Sequence, residues 1–123
     1  MVSSTTTALA ELGDTAFGGG GQKFASIDQS AAAAATVIVA AVTGARIRIL
    51  AAVLTGVGSS ITVTLLSDAT QLTGEITGAT DLNVTLPFNP AGWVQTEAGE
   101  AFKITSTNGG VNGCVVYDEV AVA

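Results

Sequence analysis

The sequence predicts an all-β protein, an antiparallel β-sandwich of jelly-roll or Greek-key type with an extended N-terminal arm. Three observations lead there. Short β-favouring runs alternate apolar and polar side chains with period two. Clusters of Gly, Asn, Asp and Pro separate those runs at close to the spacing of sandwich or barrel strands, about 8 to 12 residues. No helical segment is available to cover a parallel sheet, which leaves antiparallel strands folded as two packed sheets.

Residues 1–22 read as the arm and 23–123 as the β domain. The arm is rich in Ser, Thr, Ala and Gly and ends in Gly18-Gly19-Gly20-Gly21, whose ordering costs enough backbone entropy to make a hinge. Its candidate partner-contact residues are Leu9, Leu12 and Phe17, with Phe24 just beyond; plain disorder of a terminal segment is the competing reading. The run Ala31 to Ala35 favours helix, but the Thr36-Val37-Ile38-Val39 block and the Gly44 stop favour a strand, and a strand is expected. In Arg46-Ile47-Arg48-Ile49 the alternation puts both arginines on one face and both isoleucines on the other. Ile61-Thr62-Val63-Thr64-Leu65 and Leu82-Asn83-Val84-Thr85-Leu86 give their threonines the wetter face, and Phe102-Lys103-Ile104-Thr105 repeats the pattern. Near the end, Cys114, Val116 and Val120 fall on one side and Val115 and Tyr117 on the other. That strand therefore reads as covered on both faces, central in a sheet or at a subunit contact. Breaks are expected at Gly56-Val57-Gly58-Ser59-Ser60, at Ser67-Asp68-Ala69-Thr70 and at Thr77-Gly78-Ala79-Thr80-Asp81, with a hairpin-type turn at Asn108-Gly109-Gly110. Seven or eight strands result.

The 123 residues suffice for one domain, and 48% hydrophobic with only 11% charged residues is the composition of a chain that folds or packs against something. A net charge of -6 without clustered Lys and Arg argues against direct nucleic-acid binding. Histidine is absent, and with it the commonest general base and metal-binding nitrogen. The lone Cys114 can close no internal disulfide and is expected to be a small buried hydrophobe. The first 13 residues lack the basic and apolar regions of a secretory signal, so export by that route is not expected. The apolar stretch Ala31 to Leu54 is interrupted by Thr43-Gly44, Arg46 and Arg48, short of the about 20 apolar residues a membrane helix needs.

Chemistry-bearing motifs are weak. Neither Gly18 to Gly21 nor Gly56-Val57-Gly58 has the residues of a phosphate loop. Glu97 with Glu100, and Asp118 with Glu119, read as solvated surface charges rather than an acid pair. Asp68, Glu75 and Asp81 lack the dense spacing of a calcium loop, and Asn83-Val84-Thr85 reads as strand rather than glycosylation site. No nucleophile and base pair is apparent, so no catalytic residue, cofactor or metal site is expected and the chain does not read as an enzyme.

The most individual segment runs from Leu86 to Ile104. Pro87 ends a strand, Asn89-Pro90-Ala91-Gly92 makes a rigid turn, and Trp93 is the only tryptophan. Phe88 and Trp93 either plug one end of the sandwich or anchor an interface, and with Tyr117 they are the loop and interface candidates. If exposed, the two rings would suit a carbohydrate-binding module by stacking on sugars.

Leu86-Pro87-Phe88-Asn89-Pro90-x-Gly92-Trp93, then Thr96-x-Ala98-Gly99-Glu100-Ala101-Phe102 and the closing Gly113-x-Val115-Val116-Tyr117-x-Glu119-Val120, resemble small virion proteins of tailed bacteriophages and prophages, of the head decoration (cement) type. The strand Thr43-Gly44-Ala45-Arg46-Ile47-Arg48-Ile49-Leu50-Ala51 fits that pattern too, so the resemblance covers roughly residues 31–120 and leaves the arm outside. It implies a sandwich or jelly-roll protomer, usually a homotrimer, that binds the major capsid protein on the outer surface of the phage head. The arm would order on that surface, and no membrane or nucleic acid would be bound. A neck, tail or short fibre protein of the same fold is the alternative within the virion. The acidic charge suits an external position, away from packaged DNA.

Overall fold

The computed structural model describes residues 21–122, which contain eight strands and no helix. They are β1 (Lys23–Asp28), β2 (Ala33–Val39), β3 (Ala45–Ser67), β4 (Thr70–Gln71), β5 (Ile76–Leu86), β6 (Val94–Gln95), β7 (Phe102–Thr107) and β8 (Asn112–Ala121). Every pairing is antiparallel, in one curled sheet with the path β1-β8-β3-β7-β2 and with β4, β5 and β6 attached to β3.

Strand β3 organises the fold. Its first half, Ala45 to Thr55, pairs with β8, and its second half, Thr62 to Ser67, pairs with β7. Along the opposite edge β6, β5 and β4 follow one another. Such a ribbon must bend between its halves, and the bend lies where Val57 and Gly58 oppose the single residue Asp81 between the pairs Gly56↔Leu82 and Ser59↔Thr80. Ser60 and Asp81 take positive φ there, 55° and 53°, and the Gly58 N–H donates to Asp81 Oδ1 at 2.9 Å. The two breaks expected at Gly56 to Ser60 and at Thr77 to Asp81 are thus not chain reversals. They face each other across one ladder and make a corner through which both strands continue. Asn108-Gly109-Gly110 is also no hairpin: it joins β7 to β8, which pair with different halves of β3 rather than with each other. Ser67 to Thr70 does close the β3–β4 hairpin, and the Ala-rich β2 is a strand, its β-branched block outweighing alanine's helix preference.

The curl brings both halves around one core. Ile27 of β1, Val39 of β2, Ile47, Ile49, Leu54, Ile61 and Val63 of β3, Phe102 and Ile104 of β7, and Val115 of β8 are buried in a single cluster. Of these, Ile47, Ile49, Ile61, Val63, Phe102, Ile104 and Val115 are the inward members of the expected alternations. Thr64, placed by that alternation on the wetter face, is nevertheless buried, opposite Thr105 of β7. Among the described residues no helix is long and apolar enough to cross a membrane.

Candidate binding surface

Strand β8 lies between β1 and β3, so its inward residues Val115 and Tyr117 pack on the core while Cys114 and Val116 point the other way. The ladders set outward neighbours side by side. Phe24 opposes Val116, which opposes Ala51; in the next row Ser26 opposes Cys114, Cys114 opposes Val53, and Val53 opposes Thr85. Among the described residues no second layer covers these rows. Phe24 is 76% exposed and Val53 43%, and Cys114 is an exposed free thiol, so its expected burial is overturned. Ala51, Val53, Cys114 and Val116 of these rows, with Leu86, Pro87 and Phe88 where β5 ends, line an apolar groove of about 250 Å³, and Phe24 lies beside it across from Val116.

A bulge in β3 creates this face. Ile49 pairs with Tyr117 and Ala51 with Val116, leaving Leu50 as an extra residue. Before Leu50 the outward positions are Arg46 and Arg48; after it the parity flips and they become Ala51 and Val53. A charged face turns apolar within one strand. The legible signal was the unbroken apolar run Ile49 to Leu54, which supplies both faces of a strand at once.

The charged part of the same face is closed by the Leu86 to Gly99 segment. Arg48 donates from Nε to Asp118 Oδ1 at 3.0 Å and from a terminal nitrogen to Asp118 Oδ2 at 2.6 Å. Asp118 has no solvent exposure, so the expectation of a solvated surface charge fails for it: β8 holds it beneath the Arg48 side chain. The hydrogen bonds that Asp118 accepts from Arg48 hold the Arg48 pKa above its ordinary value, with burial opposing and Coulomb attraction reinforcing them. Arg46 reaches Glu97 at 3.4 Å, and Lys23 reaches Glu119 at 3.1 Å. Glu100 accepts a hydrogen bond from Ser67 Oγ, which itself accepts from the Glu97 N–H. The acidic side chains are thus spoken for by strand partners and do not form an acid pair.

Pro87 does end β5, and Asn89 does make the rigid turn: its Oδ1 accepts from the Ala91 N–H, its Nδ2 donates to the Gly92 carbonyl, and its own carbonyl accepts from the Gly92 N–H. Gly92 sits at φ 89°, and a Cβ there would lie 2.5 Å from Arg48 Cγ, so only glycine lets the turn close over the arginine stem. Trp93 is 44% exposed and Phe88 49%, which overturns the core-plug reading for both. The Trp93 indole N–H donates to the Pro87 carbonyl at 2.7 Å, fixing the ring against its own loop. Tyr117, the third candidate, is on the opposite side of β8, half-buried against the core, and does not join them. Phe24 belongs to β1 rather than to the arm; Leu9, Leu12 and Phe17 lie outside the described residues.

Among the described residues no group of three His, Cys, Asp or Glu is arranged to hold a metal ion. Comparison with protein-family models, with curated proteins and with solved structures finds no match.

Proposed function

We propose that this chain is a capsid decoration protein, a jelly-roll protomer that assembles as a trimer on the outer surface of a tailed-phage head and binds its major capsid protein there. The observation that carries the reading is the outward apolar groove. A tract joining Phe24, Val116, Ala51, Val53, Cys114 and Phe88 on a chain with only 11% charged residues is a surface built to be covered. Its purpose in this reading is adhesive, and several copies per assembly turn modest contacts into durable attachment.

The topology supports the jelly-roll part. With the halves of β3 and β5 counted as separate strands, the ladders run β1-β8-β3-β5 on one limb and β2-β7-β3-β5 on the other. That is the order two interleaved Greek keys give. The sequence resemblance to head decoration proteins supports the location.

The test is co-sedimentation with expanded, undecorated phage heads, counting bound copies against the major capsid protein. Saturable binding at a lattice-defined ratio is expected, and Val53→Asp should abolish it while leaving the β-sheet circular dichroism unchanged. A folded protein that never binds heads would remove the decoration role and favour a neck or tail adaptor.

A further inference from the structure

We propose that Trp93 is the platform of a saccharide-binding site, independent of the groove assigned to assembly. The site is a shallow depression of about 260 Å³ lined by Arg48, Ala91, Gly92, Trp93, Val94 and Gln95. It lies below the size of a drug-like pocket, about 300 to 1,000 Å³, and suits a ligand as small as a sugar ring.

Three features match what a sugar requires. A pyranose presents a face of C–H groups that packs on an aromatic ring, and Trp93 offers such a ring, 44% exposed. That ring is preorganised, because its N–H is already bonded to the Pro87 carbonyl and its backbone N–H to the Ile49 carbonyl at 2.8 Å. The ligand therefore meets a ring whose orientation has been fixed in advance. Hydroxyl groups next require planar polar side chains beside the ring. Gln95 opposes Arg48 in the β3–β6 ladder and is exposed, so its amide brings a donor and an acceptor to the same depression. Finally, the floor must not demand a charged ligand. Arg48 lines the site but its guanidinium is committed to Asp118, and Gly92 seals the turn over its aliphatic stem. A neutral polyhydroxylated ring is the chemistry left.

Trp93 is the sole tryptophan, so its emission reports directly on the site. Full-length protein should be titrated with glucose, galactose, mannose and N-acetylglucosamine, followed by tryptophan fluorescence and by saturation-transfer NMR. At least one sugar is expected to give a saturable response with millimolar affinity. Trp93→Ala should weaken it at least tenfold, about 1.4 kcal/mol. Trp93→Phe should retain part of it, and Gln95→Ala should weaken it several-fold, all with an unchanged β-sheet circular dichroism spectrum. Absence of a saturable response to every sugar, or undiminished binding by Trp93→Ala in the NMR experiment, overturns the proposal. Head co-sedimentation of Trp93→Ala should match the unaltered protein, so failure of this site and failure of the decoration reading are read separately.

Discussion

Asp118 has no contact with solvent, whereas its partner Arg48 keeps 18% of its side chain exposed. This asymmetry decides how the pair responds to damage. Arg48→Ala strands a carboxylate inside the sheet, and removing one member of a buried pair costs about 3 to 5 kcal/mol. Asp118→Ala leaves a guanidinium on a flexible stem near the surface, which can turn to water, so about 1 to 2 kcal/mol is expected. Urea unfolding of both variants checks the order; equal costs would mean that Asp118 is as free to reach water as Arg48. The raised Arg48 pKa adds stability that is fully present below the ordinary arginine value and is lost only as pH rises through the still higher folded value. Arg48 titration therefore contributes no pH dependence to folding around neutrality.

The elements are governed by how closely β3 and β8 approach. Gly113 takes φ 146°, and a Cβ on it would lie 1.8 Å from the Val53 carbonyl oxygen. The obstacle is backbone, so no side-chain rotation relieves it. Gly113→Ala is expected to cost at least about 2 kcal/mol and to raise the hydrogen-exchange rate of the Val53 to Thr55 amides. A loss below about 0.5 kcal/mol would mean that the ladder is looser there than the geometry indicates. The same ladder carries the Leu50 bulge, so one extra residue sets both strand curvature and the switch from arginines to an apolar groove.

For the whole molecule, the question is what covers that groove. Cys114 lies within it and provides a probe at no cost to the fold, since its thiol is exposed in the single subunit. If the groove is buried on assembly, reaction with a small disulfide reagent should be rapid at low protein concentration and slow in proportion to the fraction assembled, on raising concentration or on adding heads. A rate that is the same for monomer, oligomer and head-bound protein would put the groove outside every interface. Lys23→Glu, at the inward-facing Lys23 and Glu119 pair, should leave the dependence on assembly unchanged and serves as the control for a general loss of charge balance.

The sequence by itself determined the fold class and most strand interiors. Period-two alternation over Arg46 to Ile49, Leu82 to Leu86 and Phe102 to Thr105 is a local consequence of the pleat, and each of these runs lies in a strand with its apolar members inward. Pro87 and the Asn89 to Gly92 turn were legible for the same reason, because a missing donor and an Asx turn act within a few residues. The tertiary structure alone decided which glycine-rich breaks reverse the chain. Gly56 to Ser60 and Thr77 to Asp81 carry turn residues, yet each needs the other across the ladder to become a corner. It also decided the burial of Asp118 and the exposure of Cys114 and Trp93. Alternation assigns a residue to one of two faces, but only the packing of distant segments determines which face is covered. The loop over Arg48 closes one end of β8, and nothing among the described residues closes the other.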